Sequence, residues 1–254
     1  MFAAAAWPLL LAADQVLAQP DAQQVLAASD QVRNPQRPFS VTVALFEYRG
    51  GKLNDQNTLH VYSKAESEGG QYRSLIRFVA PARDADKLML KAGNDLWFYD
   101  PSSQASIRLS PQQRLLGQAS NGDVVTVNLA RDYRAELAGE EDIVDGERNM
   151  RRCHRLELAA VSPDVTYHRV EMWVDTRTSW PIKARFFSES GRLLKTAFYR
   201  KFQPQLGRER PTEVIIIDGL DSGWVTVMRY SEYRSREIPD AWFQRDHLPR
   251  FKPE

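Results

Sequence analysis

Catalysis and metal binding need polar side chains gathered at one point, and few groupings in this sequence could supply them. The four histidines, His60, His154, His168 and His247, include no pair at metal-ligand spacing. The one cysteine, Cys153, sits beside His154, but neighbours on a strand face opposite sides and cannot act as a nucleophile–base pair. The acidic run Glu140-Glu141-Asp142, with Asp145 and Glu147, lacks the alternating ligand pattern of a calcium loop and is interrupted by Ile143-Val144. It reads as a solvated hairpin tip turning at Asp145-Gly146. No Gly-x-Ser-x-Gly elbow, phosphate-binding loop or dinucleotide fingerprint is present. The expectation is therefore no catalytic residue, no metal and no cofactor.

The aromatic residues are more suggestive. Trp97-Phe98-Tyr99 and Phe186-Phe187 are consecutive, so one strand offers aromatic rings to both faces of a sheet. One reading packs one face on helices and leaves the other partly solvated. The second lines a cavity for an apolar ligand. Ser74, Ile76 and Phe78 alternate with Arg73, Leu75 and Arg77, which gives both faces of that strand a role.

Composition narrows the classes. Lys and Arg total 34 against 33 Asp and Glu, so there is no basic field of the kind that nucleic-acid binding leaves. Phe2 to Ala13 is almost wholly apolar, and Val16-Leu17-Ala18 before Gln19 resembles a cleavage site. That stretch is too short to span a bilayer and suits the apolar region of a signal peptide, although no basic residue precedes it. Residues 1–18 are thus expected to be an export signal whose start lies upstream, with a buried helix as the alternative, and 19–254 a single exported domain. The cleavage region has no cysteine to carry an acyl anchor, so the mature chain is expected to be free of the membrane.

Positioning elements follow from periodicity. After Asp21 as N-cap, Ala22, Val25, Leu26, Ser29 and Val32 share one helical face, and Asn34-Pro35 ends the helix. The period then becomes two. Strands are expected at 41–48, 58–63, 72–79, 87–91, 96–99 and 105–109, separated by Gly, Asn, Asp and Pro. Residues 110–139 break the rhythm, with a short helix expected over 112–116 after Ser110-Pro111, a loop over 118–123 and a second helix over 129–137. Strands resume at 153–158, 167–175, 182–189, 193–202, 212–218 and 224–232. The fold class is mostly β: a large curved antiparallel sheet or half-open barrel with a few helices on one face.

At Leu96-Trp97-Phe98-Tyr99-Asp100-Pro101, preceded by Arg77-Phe78-Val79-Ala80-Pro81 and Gly93-Asn94, the sequence resembles the bacterial outer-membrane lipoprotein-sorting family, the LolA-like periplasmic carriers. Gln113 to Val124, Ile238-Pro239-Asp240-Ala241-Trp242-Phe243 and Leu248-Pro249-Arg250-Phe251 extend the resemblance from about Asp30 to the C-terminus. It implies a half-open barrel with a helical lid over a cavity for acyl chains. By alternation, Ile76, Phe78, Leu88, Leu90, Trp97 and Tyr99 are the candidates for the cavity lining, and Leu115 and Leu116 for the lid. The early-strand arginine of the studied carriers has no aligned counterpart beside Tyr62-Ser63-Lys64-Ala65, which leaves Lys64, Arg73 and Arg77 as candidates for a polar mouth.

The resemblance implies a non-enzymatic carrier in the periplasm. Its partners would be lipoprotein or other lipid acyl chains, with an inner-membrane transporter as a further partner. An accessory subunit of a lipid exporter, its interior filled by its own side chains, is the rival reading. An enzyme built on the same fold is another.

Overall fold

The computed structural model describes residues 19–93 and 95–253, so the expected signal segment lies outside the described residues. Helix α1 (Ala22–Arg33) begins where the sequence places it, with the Asp21 carboxylate accepting from Gln23 N at 2.9 Å. Its last carbonyls, Gln31 O and Val32 O, accept from Arg210 Nη1 at 2.9 and 2.7 Å. A buried guanidinium thereby satisfies the end of the helix, where positive charge is favoured.

The first run of strands is β1 (Phe39–Arg49), β2 (Lys52–Ala65), β3 (Tyr72–Ala80), β4 (Leu88–Ala92), β5 (Asp95–Asp100) and β6 (Ala105–Arg108). A two-stranded ladder follows, β7 (Arg114–Leu116) with β8 (Ala119–Ser120), and then the short helices α2 (Asn121–Val124) and α3 (Leu129–Asp132). The second run is β9 (Tyr133–Val144), β10 (Met150–Ala160), β11 (Arg169–Asp175), β12 (Pro181–Phe187), β13 (Leu193–Gln205), β14 (Arg208–Asp218) and β15 (Trp224–Ser235).

Both runs are antiparallel meanders, joined where β1 pairs with β15, and together they make one 13-stranded sheet. β6 and β9 are its two edges and do not pair, so the barrel is half open. This order fixes the path of the chain between them. Residues 109–132 leave one edge and must reach the other, and they do so across the concave face.

Two expected helices are corrected here. Over 112–116, Arg114 and Leu116 instead pair with Ser120 and Ala119, with Gly117 (φ +54°) at the turn. Over 129–137 only Leu129–Asp132 is helical, because Tyr133 onward enters the β9 ladder with β10. The 118–123 stretch, expected as a loop, holds β8 and the start of α2.

Sheet curvature shows in the core. One buried cluster unites Phe78, Met89 and Leu96 from the first meander with Leu158, Val170 and Met172 from the second, and includes Leu26 of α1. On the convex side of β2–β5 a second cluster gathers Tyr62, Leu75, Leu88, Leu90 and Tyr99 beneath Ile238, Trp242, Phe243 and Leu248. Tyr62 meets Trp242 and Phe251 edge-on, with ring centres 5.3 and 5.9 Å apart. Both faces of that part of the sheet are thus covered, the concave one by α1 and the crossing segment and the convex one by the C-terminal segment.

Candidate functional site

Strand alternation brings Val41 and Val43 of β1, Phe186 of β12, Ala197 of β13, Val214 and Ile216 of β14 and Met228 of β15 to the concave side. They form the wall of a cavity of about 130 Å³ whose roof is Gly122–Val127 and Leu129 of the crossing segment. Arg33 of α1 and the helix's C-cap Asn34 line it as well. Most ligand pockets are roughly 300–1,000 Å³, so this cavity is small for a long ligand.

The roof is held by polar contacts to an otherwise apolar face. Lys195, 3% exposed, projects from β13 into the concave side and pairs with Asp123 of α2, while its Nζ also donates to Gln118 O at 3.0 Å. Asp123 also accepts from Ser120 N at 2.7 Å and from the Tyr167 hydroxyl at 2.8 Å. Burial pulls Lys195 below the ordinary lysine range, against the opposing pull of Asp123, and pushes the Tyr167 phenol well up. Gln118 N donates to Thr226 Oγ1 at 2.8 Å, and Thr126 Oγ1 lies 2.6 Å from Ser63 Oγ, itself paired with Ser74 Oγ at 3.0 Å.

Close approach explains two glycines in this stretch. A side chain on Gly117 would run into Thr226 and Glu47, and one on Gly122 into Thr166. The sequence Gly117-Gln118-Ala119-Ser120-Asn121-Gly122 is therefore shaped to lie flat on the sheet.

Helix α1 is tied to the far end of the roof. Asp30 accepts from Arg33 Nη1 at 2.7 Å through one oxygen and from Ala130 N at 2.8 Å through the other. Gln23 Nε2 donates to Ala130 O at 2.8 Å, and Asn34 Nδ2 to Val127 O at 2.8 Å. Burial raises Asp30 to about 6.

The residues singled out from the sequence are divided between the two faces. Ile76 and Phe78 are on the concave face and join its core, outside the cavity wall. Leu88, Leu90, Trp97 and Tyr99 are on the convex face under the C-terminal segment. The register decides this: Ile76 pairs with Met89 and Leu75 with Leu90, so Met89 and Phe98 share the concave side with Ile76. The three mouth cations also face the convex side. Lys64 and Arg73 both bind Asp240, at 2.9 and 2.8 Å, and Arg77 binds Asp86 at 2.6 Å. They secure the C-terminal segment and the β3–β4 connection. Leu115 and Leu116 are in the crossing segment and pack on the concave core.

Sequence reasoning missed Lys195, Asp123, Arg33, Tyr199 and Tyr230. Lys195 had a visible signal: it shares strand parity with Ala197 and Tyr199, which puts a charge on an inward position.

A half-open antiparallel barrel with its chain crossing folded over the concave side is an architecture that known structures share. A LolA superfamily protein from Nitrosomonas europaea is 37% identical, with a TM-score of 0.81, covering 90% of this chain and 100% of that one. A DUF1329 family protein from Desulfovibrio piger is 24% identical, with a TM-score of 0.75, covering 89% of this chain and 97% of that one. An outer membrane lipoprotein-sorting protein domain from Vibrio parahaemolyticus, 17% identical, shares the fold with a TM-score of 0.76 over 90% of this chain and 98% of that one. A family model described only as "uncharacterized protein"-like matches residues 70–250. No functionally curated protein matches the chain in sequence. The chain belongs to the LolA superfamily.

Proposed function

We propose that this protein is a periplasmic, non-enzymatic carrier that takes acyl chains of lipoproteins or other lipids beneath its crossing segment and passes them towards the outer membrane. The observation that carries the reading is the cavity itself: an aliphatic and aromatic wall from seven strands, covered by a segment held through a few polar contacts. Such hydrogen bonds contribute about 1 kcal/mol each. Burying a dozen methylenes is worth on the order of 10 kcal/mol, at ~0.8 kcal/mol apiece, so an entering chain can offset the loss of several. Superfamily membership and the sorting-protein fold support the same reading. Among the described residues no helix is long and apolar enough to cross a membrane. We propose residues 19–254 as one domain, with an inner-membrane transporter as donor.

The small closed volume favours a second reading, an accessory subunit whose interior stays filled by its own side chains. Titration of the purified protein with a fluorescent fatty acid separates the two. Saturable binding with increased hydrogen exchange in residues 117–127 supports the carrier. Absence of binding at all concentrations below micelle formation supports the subunit.

A further inference from the structure

The cavity has two unlike ends, and the one at α1 is rich in hydrogen-bond donors. A guanidinium carries five N–H donors, and among the described residues Arg33 uses only Nη1, on Asp30. Tyr199, Tyr230 and Tyr233 line the same cavity, and their hydroxyls make no hydrogen bond to any described residue. Arg33, Tyr199 and Tyr230 all line this one cavity. Burial pushes all three phenols up, so each remains an O–H donor at neutral pH.

Several acceptors facing this end already have donors. Asp123 is taken by Lys195, Ser120 and Tyr167, and Asp132 Oδ1 accepts from Gln71 Nε2 at 2.8 Å. Asp30, behind Arg33, gives its second oxygen to Ala130 N. Donors in a half-buried, largely apolar place gain from an acceptor. A head group with two or three anionic oxygens matches a guanidinium edge flanked by phenols, and charge-assisted bonds of this kind are the strong ones.

We propose that the cavity selects amphiphiles with an acidic, oxygen-rich head, a carboxylate or a phosphate monoester, seated against Arg33, Tyr199 and Tyr230 with the tail along the Val43, Ile216 and Met228 wall. This rests on the carrier reading and specifies the ligand that the reading leaves open. A triacylated lipoprotein terminus has no such group, so the inference separates this chain from carriers of that cargo.

The test is titration with cis-parinaric acid and with its methyl ester, which share a tail and differ only in the head. The acid is expected to bind at least about tenfold more tightly, the equivalent of one charge-assisted hydrogen bond. Arg33→Gln, and separately Tyr199→Phe with Tyr230→Phe, should remove that preference while leaving ester binding within about twofold. The phenylalanine pair removes only hydroxyls, which keeps the test valid if the loss of Arg33 unfolds α1. Displacement of the acid by oleate, by lysophosphatidate or by both supports the proposal and tells carboxylate from phosphate. Equal binding of acid and ester, or a preference that survives both variants, overturns the head-group inference and leaves the carrier standing. If neither probe binds, the carrier reading falls and takes the inference with it.

Discussion

Asp123→Asn is the most informative single substitution, because it keeps the shape of the roof and removes the charge opposite Lys195. In the closed form Lys195 is 3% exposed and, among the described residues, has Asp123 as its one carboxylate partner. Breaking one side of a buried ion pair costs about 3–5 kcal/mol, largely from stranding the remaining charge. That cost falls on the closed form alone, since a lifted roof exposes Lys195 to water. At about 1.4 kcal/mol per factor of ten, the lower figure shifts the balance towards opening by about 100-fold. Hydrogen exchange of residues 117–127 should accelerate by that order, while exchange in β13 and β14 changes little.

Two controls sharpen the result. Adding Lys195→Met should restore most of the protection, because the double variant leaves no stranded charge. The effect of Asp123→Asn alone should also shrink at high pH, where a lysine already pulled down by burial gives up its proton. Unchanged exchange in the crossing segment, or a double variant more open than the single one, would refute the latch.

The remaining predictions concern the frame around the cavity. Trp242→Ala, which empties the convex cluster beside Tyr62 and Phe251, should lower stability by about 3–5 kcal/mol in chemical denaturation. Asp240→Ala should leave stability nearly unchanged in chemical denaturation, because its carboxylate is largely exposed although it bridges Lys64 and Arg73. Asp30, raised by burial to about 6, holds its proton in the folded state above the pH at which the unfolded chain releases it. Its contribution to stability is therefore present near pH 4 and is lost as the pH rises through 6. Asp30→Asn should flatten that part of the stability–pH curve. The Cys153 thiol, buried and pushed up to about 12, should resist thiol reagents until the protein is unfolded in denaturant.

The strands and the opening helix were legible because their signals are local. Asp21 and the spacing from Ala22 to Val32 define α1, and alternation from Val41 to Tyr48 defines β1. Which face of one strand continues into the next was not legible. It depends on register across connections such as Val79–Lys87, so Leu88 and Leu90 were assigned with Ile76 although pairing sets them with Leu75 and Arg77. The crossing segment misled for another reason. Ser110-Pro111 and Gly117 are good helix boundaries, yet residues between them are held by the sheet beneath, through Thr226 and the β7–β8 ladder. Tertiary contacts overrode local preference there, and the polar latch they create joins residues 72 positions apart.

The central claim is that the cavity carries a lipid, and native mass spectrometry on protein purified gently from the periplasm, followed by extraction, tests it most directly. The account predicts a bound amphiphile in the mass spectrum, recovered in the extract and released when the crossing segment is opened by Asp123→Asn. Protein that arrives empty and also rejects added fatty acids would contradict it.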